Sequence, residues 1–206
     1  MKKLFLLLSA FLFAFISNAQ EPTSLVGTIK VFEDGSKGVV FFDKGDGHGI
    51  AVSLDEVEVC WYPAKTKKTM QDISGILNVN SPELVNNPDC GVGNTDAIVA
   101  QLGKDGSPAV KWCMSHGDGW YLPCAGGLRF LLAVANKGEG DKGPISIAIE
   151  MLGGQGFTSS WYWSSSEMSA RHAFDVSRSG SAVSDENKYE SVAVRAFRNF
   201  SSEHTK

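Results

Sequence analysis

The hydrophobic residues near the N-terminal end of the chain come in short runs separated by turn residues. Segments 28–32, 38–43 and 50–54 are rich in β-branched and aromatic residues, and segments rich in glycine and aspartate lie between them. This pattern predicts three strands joined by tight turns, which form an antiparallel meander. We place the meander within residues 20–60.

Two helix start signals follow in the middle of the chain. Asn94 or Thr95 can cap a helix that runs to about Leu102. Ser107 and Pro108 supply the N-cap and the first residue of a second helix. Both helices are predicted to be short.

A third helix is predicted after Pro123, because apolar residues recur there at helical spacing: Leu128, Leu131, Leu132 and Ala135. This stripe is predicted to face the core. Residues 145–152 predict one more short helix. Residues 62–93 contain three prolines and four asparagines, and they predict an irregular segment with at most short helical turns.

Strand character returns near the C-terminal end. Segments 161–164, 173–177, 181–184 and 192–197 combine β-branched, aromatic and alternating residues, and clusters of Ser, Gly, Asn and Asp separate them. We therefore expect four further strands there.

Residues 1–19 resemble a secretory signal peptide, with two lysines ahead of an apolar run and Ala19 at the expected cleavage point. An uncleaved membrane anchor is the alternative. The remaining residues, 20–206, suit a single domain with no transmembrane anchor.

Without the two leader lysines, the 19 basic residues become 17 against 23 acidic ones, a net charge of −6. This balance predicts no nucleic-acid partner.

Export would place Cys60, Cys90, Cys113 and Cys124 in an oxidising compartment. Three connectivities are possible, and we expect at least one disulfide, between Cys113 and either Cys90 or Cys124.

No CxxC or HxxxH pair brings zinc ligands together, and the 43–49 loop lacks the full ligand set of a calcium-binding EF-hand. We predict neither a metal site nor a cofactor.

Three stretches carry a family resemblance: GDGWYLP at 117–123, WYWSSSE at 161–167 and VRAFR at 194–198. Their order and spacing resemble the Lcl C-terminal domain family, bacterial extracytoplasmic domains related in fold to C-type lectins and, more distantly, to formylglycine-generating sulfatase-modifying enzymes. The resemblance lies within residues 94–200. It implies an α+β, C-type-lectin-like fold with short antiparallel sheets, two or three short helices and long loops.

The residues of these stretches favour structural roles. Aromatic rings would fill the core, and hydroxyls and a carboxylate would satisfy backbone groups in turns: Trp120, Pro123, Trp163, Ser164, Ser165 and Glu167. Arg195 would either point outward or form a buried pair, with Glu167 as the candidate partner. The calcium-site sequences of true C-type lectins and the reactive cysteine pair of formylglycine-generating enzymes are absent.

The resemblance implies a non-catalytic binding or adhesion module in the periplasm, on the outer surface or secreted, with a glycan or a protein as ligand. Loops between 156 and 187 would carry the contacts, through Trp161, Tyr162, His172, Asp175, Arg178, Asp185 and Asn187. Each of these residues also has a structural interpretation. The alternatives for the whole chain are a structural subunit of a surface assembly and a remote enzyme of the sulfatase-modifying type.

Overall fold

The computed structural model describes residues 24–63, 70–78, 89–136 and 142–201, so the predicted signal peptide lies outside the described residues. The described part contains ten strands and four α-helices, in the order β1 (Ile29–Val31), β2 (Lys37–Asp43), β3 (His48–Val52), β4 (Val57–Cys60), α1 (Asn94–Leu102), α2 (Pro108–Met114), β5 (Trp120–Tyr121), α3 (Ala125–Ala135), α4 (Pro144–Met151), β6 (Trp161–Glu167), β7 (His172–Ser177), β8 (Val183–Asn187), β9 (Ser191–Val194) and β10 (Phe197–Ser201). The predicted α+β class is confirmed, with four helices instead of two or three.

The strands form two five-stranded sheets. The first sheet has the order β1-β2-β3-β10-β5, and the predicted meander forms three adjacent antiparallel strands within it. The second sheet has the order β4-β9-β6-β7-β8, and its β6–β9 pair is parallel. The first sheet is therefore antiparallel as predicted, whereas the second is mixed.

The strand predicted at 192–197 divides into two strands that belong to different sheets. The chain crosses between the sheets at Arg195 and Ala196, where Ser53 donates its backbone N–H to Ala196 O at 2.9 Å. The Ala196 N–H in turn donates to Ser53 Oγ at 3.1 Å. These two bonds replace the ladder bonds that a continuous strand would have made.

The central strands of both sheets are buried on both faces, because alternate residues along them enter two different cores. In β6, Tyr162 lies in the first core and Trp163 lies in the second core, and each ring is fully buried. The predicted stripe of α3 enters the first core together with residues of α4. Residues of α1 and α2 enter the second core.

The two helix starts differ from each other in their caps. The Ser107 side chain accepts a hydrogen bond from Val110 N, as the N-cap prediction requires. The cap predicted for α1 is wrong, because the first helix begins after Gly93 without a side-chain cap. Asn94 instead binds both backbone groups of Leu77, and Thr95 Oγ1 accepts from Leu122 N at 3.1 Å. Both side chains that could have capped the helix therefore bond to other segments of the chain.

Residues of the GDGWYLP and WYWSSSE stretches are buried or form hydrogen bonds between elements of the fold. Trp120 and Trp163 are buried and donate their indole N–H groups to Ser36 Oγ and Val59 O. The Pro123 carbonyl accepts from Ser165 N at 2.7 Å, and Ser164 Oγ donates to Phe174 O at 2.8 Å. These bonds join β6 to the segment before α3 and to β7.

Glu167 is 3% exposed, and its partner is Lys188, whose side chain is fully buried. The Lys188 ammonium also lies 4.5 Å from the ring centre of Trp61. Ile73 N donates to the second carboxylate oxygen of Glu167 at 2.6 Å. The predicted pairing of Glu167 with Arg195 is therefore wrong.

The cysteines also differ from the expectation. Cys60 and Cys113 are thiols, so the predicted disulfide through Cys113 is wrong. The physical reason is that α2 buries Cys113 completely in the second core. Cys124 is disulfide-bonded, and the side chain of Cys90 lies outside the described residues.

Candidate functional site

A buried ion pair lies where the chain crosses between the sheets. Arg195 and Glu56 have side chains that are 0% and 4% exposed, and Arg195 Nε and Nη2 lie 3.1 and 3.0 Å from Glu56 Oε2. Burial lowers the pKa of Arg195, and the charge of Glu56 opposes that effect. Of the two alternatives considered for Arg195, the structure shows the buried pair, with a partner that precedes β4.

This pair holds the loop of residues 155–160, which connects α4 to β6. Arg195 Nη2 donates to Gly156 O at 2.7 Å and also to Gln155 O. Glu56 Oε1 accepts from Thr158 N at 3.2 Å. The loop is therefore fixed to the interior by charge-assisted hydrogen bonds to its backbone.

Two clefts adjoin this loop and share Thr158. The basic cleft has a volume of about 480 Å³ and is lined by Asn136, Lys142, Ser146, Glu150, Gly156, Phe157, Thr158 and Arg178. The tryptophan cleft has a volume of about 340 Å³ and is lined by Glu58, Thr158, Ser159, Ser160, Trp161, Ser191 and Val192. Both volumes fall within the range of roughly 300–1,000 Å³ that is usual for small-molecule sites.

The structure separates the seven ligand-binding candidates. Trp161 lines the tryptophan cleft, and Arg178 lines the basic cleft. Tyr162 is fully buried and donates its hydroxyl to Glu56 Oε2 at 2.8 Å, so it offers no surface to a ligand. The other four candidates lie along β7 and β8 and are not among the lining residues of either cleft: His172, Asp175, Asp185 and Asn187.

Sequence reasoning missed the residues that complete these clefts. Glu58 is a single acidic residue in a short apolar strand, and Lys142 lies beside a glycine-rich segment. Lys142 precedes α4, and its Nζ forms a 2.8 Å ion pair with Glu150 Oε2 near the end of that helix. No local pattern distinguishes such residues from ordinary surface charges.

A second surface is formed by the outer edge of β1. Phe32 N donates to Ser36 O, and Val40 N donates to Thr28 O. Since bonded residues alternate in an antiparallel pair, the backbone N–H and C=O groups of Ile29 and Val31 point away from β2. Ile29 and Val31 are 49% and 58% exposed. Apolar side chains and backbone groups without a strand partner in the described residues thus occur together.

The start of α4 lies near the segment that leads into β1. A β-carbon placed at Gly27 would lie 3.7 Å from Cβ of Pro144, the first residue of α4. One side of the helix then exposes Ile147 and Met151, at 46% and 82%. We call the outer edge of β1 with these two residues the β1–α4 surface.

No helix in the described ranges has the length and apolar character to cross a membrane.

No family model matches the chain, and no curated protein matches it. Among solved structures, the chain is similar to a fimbrial protein from Bacteroides ovatus, with a TM-score of 0.53 and 19% identity. The match covers 74% of this chain but 36% of the fimbrial protein, so this chain spans about a third of its length. At this identity the similarity shows a shared fold.

Proposed function

We propose that this protein is a non-catalytic structural subunit of an extracellular surface assembly, in which the β1–α4 surface binds a neighbouring subunit. The exposed apolar edge of β1 carries this proposal. The fold similarity to a fimbrial protein supports it. A neighbour that added a strand to β1 would pair with the outward backbone groups of Ile29 and Val31 and cover their side chains.

The edge of β1 is only three residues long and carries one lysine, which is two of the usual protections, but it has neither a proline nor a bulge. Sheet edges are commonly protected by charged side chains, prolines or bulges that discourage pairing. Lys30 is the only charged residue of β1, and its ammonium lies 4.9 Å from the ring centre of Phe200. Its neighbours in the strand present apolar side chains to water. The lysine thus contacts a ring of the same sheet, and the two exposed apolar side chains beside it would gain burial if a neighbour covered them.

The proposal extends to the family. We infer that residues 94–200 form a C-type-lectin-like domain of the Lcl C-terminal type. Support comes from the burial of the motif residues Trp120, Trp163 and Arg195, which bond to Ser36, Val59 and Glu56 in the earlier part of the chain. A solved structure of a family member that superposed these residues on the same strands would test the inference.

Site-specific photo-crosslinking in cells that export the protein tests the assembly role. A photoreactive residue at Val31 should form an adduct of high mass that contains this chain, because the neighbouring subunit covers β1. The same residue at Met168 is the matched control, since the two positions are 58% and 60% exposed. No adduct at Val31, or equal yields at both positions, would contradict the proposal.

A further inference from the structure

The strand β8 forms one edge of the second sheet. Next to this strand, Ser177 N donates to Ala182 O at 3.0 Å, in the same register as the β7–β8 pair. Since bonded residues alternate in an antiparallel pair, the backbone groups of Val183 and Asp185 point away from β7. Asn187 also points outward, but its N–H and C=O groups bond within its own turn. In the described structure, β8 therefore offers two residues to an added strand.

The carboxylates at this edge lack a cation. Asp175 of β7 lies opposite Ser184, and Glu186 is the next residue of β8 on the same face. Asp175 is 5% exposed, and its Oδ1 has no hydrogen-bond partner among the described residues. The negative charges of Glu186 and Asp185 act on this carboxylate. No ion pair within the described ranges involves any of these three groups. A cation from another molecule would lower their repulsion.

The outer edge of β1 matches this edge in the number and spacing of its outward residues. In antiparallel order, Ile29 lies opposite Asp185 and Val31 lies opposite Val183. Each pair can then exchange both of its backbone hydrogen bonds. The exposed side chain of Val31 would also pack against the half-buried side chain of Val183. The two edges thus satisfy each other's backbone groups.

This register also brings a cation to the acidic face. Lys30 lies opposite Ser184, a short side chain, and the carboxylates of Asp175 and Glu186 belong to neighbouring positions on that face. Neighbours of a cross-strand position, including the diagonal ones, lie within reach of a long side chain. In its own chain, the ammonium of Lys30 lies 4.9 Å from the ring centre of Phe200 and forms no ion pair with a described residue. It would gain two opposite charges at β8.

The other sheet edges of the described structure fit β1 less well. Pairing with β1 of a second copy through Ile29 and Val31 would place Lys30 opposite Lys30, and like charges directly opposite destabilise a strand pair. In β4, the Val59 carbonyl already accepts the indole N–H of Trp163. The strand β5 has two residues, and both side chains are buried.

We propose that copies of this chain assemble head to tail, with β1 of one copy added antiparallel to β8 of the next copy and Lys30 placed beside Asp175 and Glu186. This inference rests on the proposed assembly role, and it names the partner and the partner's surface. Because the contact joins two different edges, each copy keeps one unused edge, and further copies can add in the same direction.

Photo-crosslinking at Val31 identifies the partner when tagged and untagged copies of the chain are exported by the same cells. The adduct should contain both copies, and peptide mass spectrometry should place the link within residues 182–186. An adduct with a different protein, or a link to another segment, would overturn this inference and leave the assembly role standing. The absence of any adduct would instead contradict the assembly role itself.

Charge reversal tests the pairing of Lys30 with the acidic face. Lys30→Glu should lower the yield of the Val31 adduct by about fivefold or more, because an attraction becomes a repulsion. Glu186→Lys should lower it similarly, and the two substitutions together should restore most of the yield. Glu58→Lys, on the opposite edge of the second sheet, is the control and should leave the yield unchanged. Circular dichroism confirms that each variant is folded. An unchanged yield in Lys30→Glu, or no recovery in the double variant, would overturn the pairing.

Discussion

Asp175 is a carboxylate that the fold buries at a cost. It is 5% exposed, and its Oδ1 atom has no hydrogen-bond partner in the described structure. Burial raises the pKa of Asp175 to about 6, and the charges of Glu186 and Asp185 on β8 add to the effect. In the unfolded chain the same group titrates near 3.8. The folded protein therefore binds this proton more tightly than the unfolded chain does.

It follows that the free energy of unfolding falls as the pH rises from about 4 to about 6, and stays lower above that range. Asp175→Asn removes the titrating group. The variant should be more stable than the parent at about pH 8, by roughly 1 kcal/mol, and this advantage should disappear near pH 4. Calorimetric melting temperatures at the two pH values check this. A variant that is equally destabilised at both would show that Asp175 makes a favourable contact as a carboxylate.

The 155–160 loop is an element that is held in part by one buried ion pair. Backbone groups of Gly156 and Thr158 bond to Arg195 and Glu56, and the guanidinium lies 4.5 Å from the ring centre of Phe157 within the loop. Because Glu56 also accepts the hydroxyl hydrogen bond of Tyr162, the end of the loop and the start of β6 share one anchor.

Glu56→Gln should release this loop. The substitution leaves the charge of Arg195 buried without a counter-ion, which typically costs about 3–5 kcal/mol when one partner of a buried pair is removed. Hydrogen exchange of the backbone amides in 155–160 should accelerate more than exchange in α3, which does not contact the pair. The matched control is Glu58→Gln, two residues away and exposed, which should leave both stability and exchange nearly unchanged. Unaltered exchange in the Glu56 variant would contradict the role of this anchor.

For the whole molecule, the second core joins both sheets to α1 and α2. It contains Val40 and Ala51 of the first sheet, and Trp163 and Val194 of the second. Cys113 is buried in the same core, where burial raises the pKa of its thiol well above the ordinary value. A reagent can reach this thiol only when both sheets separate from α2.

We therefore expect modification of Cys113 to follow global unfolding. Alkylation in increasing urea, resolved by peptide mass spectrometry, should label Cys113 along the same transition that circular dichroism reports. Cys60, which is partly exposed on the edge strand β4, should react at lower urea. Labelling of Cys113 under native conditions at a rate similar to that of Cys60 would show that α2 opens independently of the sheets.

Local signals in the sequence were sufficient to predict the helices and most of the strands. The Ser107-Pro108 start of α2 and the apolar stripe of α3 each lie within a few residues, so a short window contains the whole physical reason for the element. The burial of Trp120 and Trp163 followed from the same kind of information, since large aromatic rings in apolar strands are rarely left in water.

Only the tertiary structure decided which groups meet. Arg195 and Glu56 are 139 positions apart in the sequence. Glu167 is closer to Arg195 in the sequence, but it pairs with Lys188. The division of 192–197 between two sheets and the loss of Asn94 as a helix cap have the same origin. In each case a polar group takes the partner that packing brings within reach. That choice depends on how distant segments are brought together, and no short stretch of sequence contains it.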